Sequence, residues 1–426
     1  MRTGGGAGDR GGSVTQVSSA ARIATAREAI AAARSLAPEL AAGAAHRDSY
    51  RQLPHAEIEL LSQAGLLAVT VPERFGGPDL PPSVVAELTA ILAAADPNIA
   101  QIPHSHFVYL NLLRHNGSVE LQRRIFGAVR DGGRVANAQS ERGGKTIADI
   151  STRLTPAADG YVLDGEKFYA TGSLFADTLA ILARLDDVGD DHAPGEYVAF
   201  IPASAPGVEI IDDWNGMGQR TTGSGTVRLR GVHVDAADLV ARAPAVSAPT
   251  GYGAFAQLLH VAIDTGIARG ALEAAAEFVR TTSRPWFEAG VERAVDDPLL
   301  VQRFGELGVE VATAEATLAA AGRRVDEATG FADPDAVAGD IPVSQVIADA
   351  SIAVATAKVV ADRVANSVTS ALFEVSGTRS AGADLGLNRF WRDARTHTLH
   401  DPVRWKYQHI GRRVLRGEDP PLHGVI

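Results

Sequence analysis

Residues 160–173 read G-Y-V-L-D-G-E-K-F-Y-A-T-G-S, and this stretch decides which kind of fold the chain can adopt. Its apolar run, residues 161–163, is bounded by the dipeptides Asp159-Gly160 and Asp164-Gly165. Short apolar runs between Asp-Gly dipeptides are typical of strands that are joined by tight turns. The middle of the chain is therefore predicted to form strands and hairpins.

Outside this stretch the pattern is partly β and partly helical. Further short apolar runs occur at residues 179–182, 197–201 and 226–229, so the β domain is predicted to cover residues 135–245. On both sides, Ala-rich segments carry apolar residues at i, i+3 and i+4, which is the spacing of an amphipathic helix. Helical domains are therefore expected at residues 19–134 and 250–426. Residues 1–18, rich in Gly and Ser, are predicted to be a disordered tail.

The composition excludes several classes of function. With 51 acidic and 40 basic residues the chain has a formal net charge of −11, which disfavours a nucleic-acid or anionic-membrane partner. The chain has no cysteine, which excludes disulfides, thiolate catalysis and Cys-ligated metals. No uninterrupted apolar run approaches the ~18 residues of a membrane span, and the Gly-rich start lacks the apolar core of a signal peptide. A cytoplasmic protein without a membrane partner is expected.

Four short strings occur in one order along the chain. They are P-E-R-F-G-G at residues 72–77, E-K-F-Y-A-T-G-S at 166–173, G-I-A-R-G-A-L at 266–272 and R-D-A-R at 392–395. Together with the order of helices, strands and helices, they resemble the acyl-CoA dehydrogenase superfamily. The resemblance implies a mainly α fold with a small β domain: an N-terminal helical domain, a middle β-barrel and a C-terminal four-helix bundle. It also implies a homotetramer.

Three more strings narrow the resemblance to one branch. N-I-A-Q-I-P-H-S-H at residues 98–106, A-N-A-Q-S-E at 136–141 and T-H-T-L-H-D-P at 396–402 resemble the dibenzothiophene monooxygenases and sulfur-acquisition oxidoreductases. In that branch the flavin is FMN, which a separate flavin reductase delivers in reduced form. The resemblance implies a two-component monooxygenase that uses FMNH2 and O2, through a flavin hydroperoxide. Its expected substrate is a small heteroatom-containing compound, for example an organosulfur compound.

The chain departs from the dehydrogenases at the position of the catalytic base. The family's Glu in a Y-E-G-T loop corresponds to the region of Asp401, and an alternative family position on the first bundle helix holds Ala256 or Gln257. Because Pro402 follows Asp401, this carboxylate is predicted to cap a helix and to be occupied by backbone N–H groups. The alternative function is an FAD-dependent acyl-CoA dehydrogenase with Asp401 as its base. A non-catalytic binding protein is the third interpretation.

Histidines are the predicted catalytic residues. A flavin monooxygenase must exclude water and must supply a proton, and imidazole is the side chain best suited to proton transfer near neutral pH. The resemblance places His106 on a helix of the N-terminal domain, and His397 and His400 in a loop beside the flavin. His104 is as close in sequence as His106, so the choice between these two stays open. A zinc site is not expected, because cysteine and the H-E-x-x-H pattern are both absent.

The predicted cofactor contacts form two groups. One group, along the flavin ring, is Asn137, Ser140, Thr171 and Ser173; the other, at the flavin phosphate, is Arg284, Ser376 and Gly377. A guanidinium suits phosphate because it forms two charge-assisted hydrogen bonds. The family's glycine loop reads F-E-V-S-G-T-R at residues 373–379, and the lost glycines favour FMN over FAD. The structural alternatives are local turn residues and a solvated arginine.

Tyr109 is the predicted substrate-pocket residue. It follows His106 by three positions and therefore shares a helical face with it. A tyrosine of the hydrophobic core is the alternative interpretation.

Overall fold

The computed structural model describes residues 20–146, 149–188, 192–331 and 342–426. The predicted disordered tail lies outside these residues. Helices occupy both ends of the described chain and strands occupy its middle, which confirms the predicted fold class.

In the part of the chain that the structure describes, six α-helices precede the first strand. They are α1 (Ala26–Tyr50), α2 (His55–Gln63), α3 (Pro82–Ala95), α4 (Pro97–Gln101), α5 (His104–Asn116) and α6 (Val119–Arg130). Their starts follow local rules: Thr25 and Glu28 form a capping box at α1, and Pro82 occupies the first turn of α3. The apolar faces of these helices enclose one core with part of the C-terminal helices.

The described residues of the middle domain form eight strands in one mixed sheet. They are β1 (Val135–Ala138), β2 (Arg153–Ala157), β3 (Gly160–Lys167), β4 (Thr178–Leu185), β5 (Gly195–Pro202), β6 (Val208–Ile211), β7 (Thr226–Val234) and β8 (Leu239–Ala241). The strand order is β6-β7-β3-β2-β4-β5-β8, and β1 pairs with β4. The tight β2–β3 hairpin pairs Ala157 with Gly160, whose φ of 111° suits glycine. The predicted strand at residues 161–163 therefore lies inside β3.

Across residues 242–331 and 342–426, six α-helices follow the sheet. They are α7 (Arg242–Ser247), α8 (Tyr252–Thr281), α9 (Pro298–Thr329), α10 (Val343–Ser376), α11 (Asn388–His397) and α12 (Arg404–Arg416). The three long helices α8, α9 and α10 pack on one another through small and branched apolar side chains. Helix α10 is long and apolar enough to cross a membrane, but half of its most apolar window is buried inside the protein. Burial of this kind is typical of a core helix in a helical bundle.

Two glycines let α8 approach the N-terminal domain closely. A Cβ atom on Gly266 would lie 2.4 Å from the carbonyl oxygen of Ala90, and one on Gly270 would lie 2.3 Å from that of Ala94. Both contacts are shorter than any side chain tolerates, so α3 and α8 can cross this closely only with glycine at these positions. The G-I-A-R-G string of the sequence is therefore a helix-packing motif, and it brings the N-terminal domain against the bundle.

Candidate active site

Four histidine rings meet where α5, α8 and the end of α11 approach one another. We call them the histidine cluster: His104 in the first turn of α5, His260 on α8, His397 at the end of α11, and His400 in the loop that follows. The ring of His260 is central. Its centroid lies 3.9 Å from that of His104, 4.0 Å from that of His400 and 5.1 Å from that of His397.

A chain of hydrogen bonds runs from this cluster into the bundle. Nε2 of His397 lies 3.0 Å from Nδ1 of His260, and Nδ1 of His397 lies 2.5 Å from Oδ1 of Asp264. On the far side, Nζ of Lys358 donates to Oδ2 of Asp264 at 2.8 Å. Asp264 and Lys358 are both fully buried. The histidine cluster is therefore backed by an ion pair that water does not reach.

Burial controls the charge of the cluster. It lowers the pKa of His104 to about 3 and lowers the pKa of His260 well below its ordinary value. Burial also lowers the pKa of His397, although Asp264 opposes this shift. For Asp264 itself, burial raises the pKa, but Lys358 and His397 outweigh burial and hold that pKa below its ordinary value. At neutral pH the buried rings are therefore neutral and Asp264 is ionised.

His106, one of the predicted catalytic residues, does not join the cluster. Its Nε2–H donates to the carbonyl of Leu67 at 2.7 Å, and its Nδ1 accepts from the backbone N–H of Val135 at 3.0 Å. The ring is buried, and both of its nitrogens are engaged with backbone groups. His106 therefore connects α5 to the start of β1. Of the two histidines of α5, His104 is the better candidate for the catalytic role.

Two of the predicted catalytic histidines do come together. His397 is buried within the hydrogen-bonded chain, whereas the side chain of His400 is 45% exposed and lies at the outer edge of the cluster. Nδ1 of His400 is 3.5 Å from Oδ1 of Asp401. The exposed ring of His400 is thus positioned between the buried cluster and solvent.

The four residues predicted along the flavin ring lie on two segments that contact each other, the one that ends β1 and the one that follows β3. The N–H of Phe168 donates to the carbonyl of Ser140 at 2.8 Å, and the hydroxyls of Thr171 and Ser224 are 2.7 Å apart. The N–H of Asn137 lies 3.4 Å from the hydroxyl of Ser105, the residue after His104. These contacts place the end of β1 against the first turn of α5, which carries His104, and they place the segment after β3 against the residues that follow β1.

Several buried polar atoms near this turn lack a protein partner. Among the described residues they include the hydroxyl of Ser173 and Oε1 of Gln257, which is one turn before His260 on α8. Buried polar atoms are rarely left unpaired in native proteins. The edge of a flavin ring carries both N–H and C=O groups, so these atoms fit such a cofactor.

Tyr109 has a partner within the protein. Its hydroxyl donates to Oε1 of Gln139 at 2.6 Å, and the side chain is buried. Burial raises the pKa of this phenol. Tyr109 thus positions the residues that follow β1, and its contact with substrate stays a prediction.

The three residues predicted at the flavin phosphate lie together but at a distance. The hydroxyl of Ser283 donates to the carbonyl of Ser376 at 3.3 Å, which places the segment of Arg284 beside Ser376 and Gly377. Arg284 follows the C-terminal end of α8, and Ser376 and Gly377 lie at the C-terminal end of α10. A helix rises ~1.5 Å per residue, so the end of α8 is roughly 30 Å from His260. Within one chain, these residues cannot contact a flavin that is held at the histidine cluster.

Asp401 does not cap a helix, so that prediction was wrong. Helix α12 begins at Arg404 without a side-chain cap, and the carboxylate of Asp401 pairs with Nζ of Lys406 at 2.9 Å. Burial would raise the pKa of Asp401, but His400, Lys358 and Lys406 hold it well below its ordinary value. A carboxylate paired in this way is a poor proton acceptor at neutral pH.

Sequence reasoning missed three members of this site: His260, Asp264 and Lys358. A weak signal was available, because His260 and Asp264 are four residues apart within an otherwise mostly apolar stretch of α8, residues 258–268, and therefore share a face. Lys358 is similarly isolated in apolar α10. In the described ranges no group of His, Asp and Glu has the arrangement of a metal site.

Comparison with known proteins gives consistent matches along the chain. The family models for the N-terminal, middle and C-terminal domains of acyl-CoA dehydrogenase match residues 24–133, 137–232 and 258–405. A dibenzothiophene monooxygenase of Rhodococcus erythropolis is 31% identical, over 94% of this chain and 96% of its own length. A probable FMNH2-dependent monooxygenase of Pseudomonas putida, SfnC, is 30% identical over 92% of this chain and 96% of its own.

A solved structure is similar as well. TdsC from Paenibacillus sp. A11-2, in complex with FMN and indole, superposes with a TM-score of 0.86 at 31% identity. The match covers 94% of this chain and 100% of that one.

Proposed function

Since the chain belongs to the acyl-CoA dehydrogenase superfamily, in its dibenzothiophene monooxygenase branch, we propose that it is the oxygenase of a two-component FMNH2-dependent system. Its substrate is a small heteroatom-containing compound, with organosulfur compounds as the first candidates. The observation that carries the proposal is the convergence of four histidine rings beside buried polar atoms that lack protein partners.

The residues around the first turn of α5 would hold the cofactor. Ser173 and Gln257 would offer their unpartnered polar atoms to the edge of the ring, and Asn137 and Thr171 are the further candidates that the sequence indicates. Bound FMNH2 supplies the two electrons with which one oxygen atom of O2 is reduced to water. The protein must then exclude bulk water and deliver a proton at the correct position.

The histidine cluster is suited to that delivery. Its buried rings are neutral at neutral pH, so each ring can accept a proton on one nitrogen while it donates from the other. His400, at the exposed edge, connects the cluster to solvent protons. Nε2–H of His104 donates to the carbonyl of Ala256 at 3.0 Å, so Nδ1 of that ring carries a lone pair. Nδ1 has no partner among the described residues. This nitrogen is available for a hydrogen bond to cofactor or substrate.

The test is a turnover assay with photoreduced FMN, oxygenated buffer, and either dibenzothiophene or indole. We expect an oxygenated product by mass spectrometry, together with a low yield of free H2O2. The ratio of product to H2O2 is the coupling of the reaction. In the His104→Gln variant the coupling should fall, with FMN still bound.

The dehydrogenase alternative predicts the opposite result. Bound flavin would then be reduced by an acyl-CoA, with Asp401 as the base, and neither probe would be oxygenated. The ion pair between Asp401 and Lys406 argues against that chemistry. Reduction of the flavin by an acyl-CoA, together with H2O2 as the sole product of the oxygenase assay, would reject the proposal.

The separation of the two groups of predicted cofactor residues supports an oligomer. Arg284, Ser376 and Gly377 can reach the phosphate only if a second copy of the chain presents them to the site. Helix α12 also exposes apolar side chains, with Val414 77% and Leu415 84% exposed. We propose a homotetramer. Light scattering should give four times the chain mass, and Arg284→Ala should weaken FMN binding without moving the histidine cluster.

The flavin reductase is proposed to act by diffusion of FMNH2. Photoreduced FMN should then support full turnover, and any unrelated flavin reductase should replace the natural one. A requirement for one specific reductase at saturating FMNH2 would contradict this. The cytoplasmic location expected from the sequence stays a prediction.

A further inference from the structure

Three buried polar side chains stand behind the candidate site. His260 is 1% exposed, and Asp264 and Lys358 are 0% exposed. We propose that Asp264, His397 and His260 form a buried proton relay, anchored by Lys358, in which His260 is the catalytic residue and His397 acts only through it. This inference rests on the proposed monooxygenase function.

The tautomers of both rings follow from the hydrogen bonds. A carboxylate can only accept, so the proton between Asp264 and His397 belongs to Nδ1 of the ring. The neutral ring of His397 then has a lone pair on Nε2, and it must accept from Nδ1–H of His260. Nε2 of His260 is therefore left with a lone pair, and it has no partner among the described residues. This nitrogen is the outward end of the relay.

The same geometry moves one proton without moving a heavy atom. When a proton binds Nε2 of His260, the proton on its Nδ1 passes to Nε2 of His397, and His397 becomes an imidazolium beside Asp264. The positive charge thus rests next to a carboxylate that Lys358 keeps ionised. In the reverse direction, the imidazolium of His397 returns that proton to Nδ1 of His260, and Nε2–H of His260 gives a proton to the group that is bound there. The charge never resides on the ring that faces the site.

His397 itself has no nitrogen to offer to cofactor or substrate. Both of its ring nitrogens are engaged, one with Asp264 and one with His260, and the ring is buried. His260, in contrast, has one free nitrogen and lies against His104 and the exposed His400, so a proton from solvent can reach the relay through its neighbours. The catalytic role predicted for His397 therefore belongs to His260.

The first experiment needs neither cofactor nor substrate. Nitrogen NMR of the protein with 15N-labelled histidine, at neutral pH, reports which ring nitrogen carries the proton. The relay requires the Nδ1–H tautomer for both His260 and His397, with a strongly deshielded proton on the bond to Asp264. Resonances are assigned with the His260→Gln and His397→Gln variants. An Nε2–H tautomer on His260, with Nδ1 free, would overturn the relay.

The second experiment separates proton transfer from positioning. In His397→Gln the amide can donate to Asp264 and accept from His260, so the hydrogen bonds remain but a proton cannot pass. We expect the product-forming rate with dibenzothiophene to fall about 10²-fold or more, as for loss of a general acid–base group. FMN binding and the NMR tautomer of His260 should be unchanged. If the rate is retained, His397 only positions its neighbour.

A double variant completes the test. Because the two rings act in series, His260→Gln/His397→Gln should be no slower than the slower of the two single variants. Multiplicative losses would mean that the rings act independently, and would overturn the relay. The matched control is His409→Gln on α12, a largely buried histidine outside the cluster, which should leave the rate unchanged. Failure of both probes in the wild type would reject the proposed function, while the NMR result would still decide the relay.

Discussion

Helix α11 carries two buried polar side chains one turn apart, and they belong to networks of opposite kind. His397 belongs to the histidine cluster and contacts Asp264, whose carboxylate pairs with Lys358 at 2.8 Å. Asp393 instead accepts the N–H of Gln219 at 2.6 Å and lies 3.4 Å from the amide nitrogen of Asn98. We call this second set, Asp393 with Gln219 and Asn98, the domain junction, because it joins the bundle to the β domain and to the N-terminal domain.

The two carboxylates show how a protein sets the charge of a buried acid. Burial acts on both. At Asp264 a lysine in direct contact outweighs it, and the pKa falls below the ordinary value. At Asp393 burial prevails over the backbone N–H of Gln219, neighbouring Asp48 and Asp96 add to it, and the pKa rises to about 7. A cation in contact therefore keeps a buried carboxylate ionised and ready to stabilise charge, whereas N–H donors alone leave it partly protonated.

The largest effect on stability should come from removing Lys358, the cation that pairs with Asp264 behind the histidine cluster. Lys358→Met leaves the buried charge of Asp264 without its cation and with only the hydrogen bond from His397, and loss of one partner of a buried ion pair typically costs about 3–5 kcal/mol of stability. Urea unfolding should show this loss, whereas the double variant Lys358→Met/Asp264→Leu should recover most of it. If the single variant is as stable as wild type, the ion pair is not what holds Asp264 ionised.

The second prediction concerns pH and tests the domain junction. The folded-state pKa of Asp393 is raised, so its contribution is fully present below the unfolded-state pKa of about 4 and is lost as pH rises towards about 7. Asp393→Asn removes this loss. The variant should gain roughly 2–4 kcal/mol relative to wild type between pH 4 and pH 7.5.

The control for that prediction lies in the other network. The pKa of Asp264 is lowered, so its contribution has the opposite sign and is lost only as pH falls below the unfolded-state value. Thermal unfolding from pH 4 to pH 8 should therefore show the changing difference for Asp393→Asn. A constant difference between Asp393→Asn and wild type across this range would mean that Asp393 is ionised throughout.

The two histidines of α5 give a smaller contrast. His106→Gln disrupts two buried bonds to backbone groups and should cost about 1–3 kcal/mol of stability, with the coupling of the remaining folded enzyme unchanged. His104→Gln disturbs one such bond, to the carbonyl of Ala256, so it should cost less stability than His106→Gln and should lower the coupling. Chemical denaturation and the product-to-H2O2 ratio measure both quantities in each variant. Loss of coupling in folded His106→Gln would return the catalytic role to that residue.

The smallest effect is expected at the cofactor edge. The buried hydroxyl of Ser173 has no protein partner, so Ser173→Ala should leave stability within about 0.5 kcal/mol of wild type. It should weaken FMN binding by about 2- to 10-fold, the effect of one hydrogen bond. Fluorescence titration measures this. Thr171→Val is the comparison, because its hydroxyl already has a partner in Ser224.

The fold class and the branch were accessible from the sequence because they depend on local patterns. The i, i+3, i+4 spacing and the Asp-Gly turns report hydrogen bonds between residues that are near in sequence, and short strings such as residues 396–402 carry the family resemblance. The same strings indicated His397 and His400, and both rings lie in the histidine cluster. These conclusions did not require knowing how the domains pack.

The roles of single side chains were decided by the tertiary structure. The rotation of α5 directs His104 to His260 and leaves His106 to Leu67 and Val135, and no local pattern distinguishes these outcomes. His260, Asp264 and Lys358 acquire meaning only where α8, α10 and α11 cross. Hydrogen bonds and ion pairs act over about 3 Å. They therefore depend on which distant segments the packed core brings into contact, and the sequence by itself does not specify that.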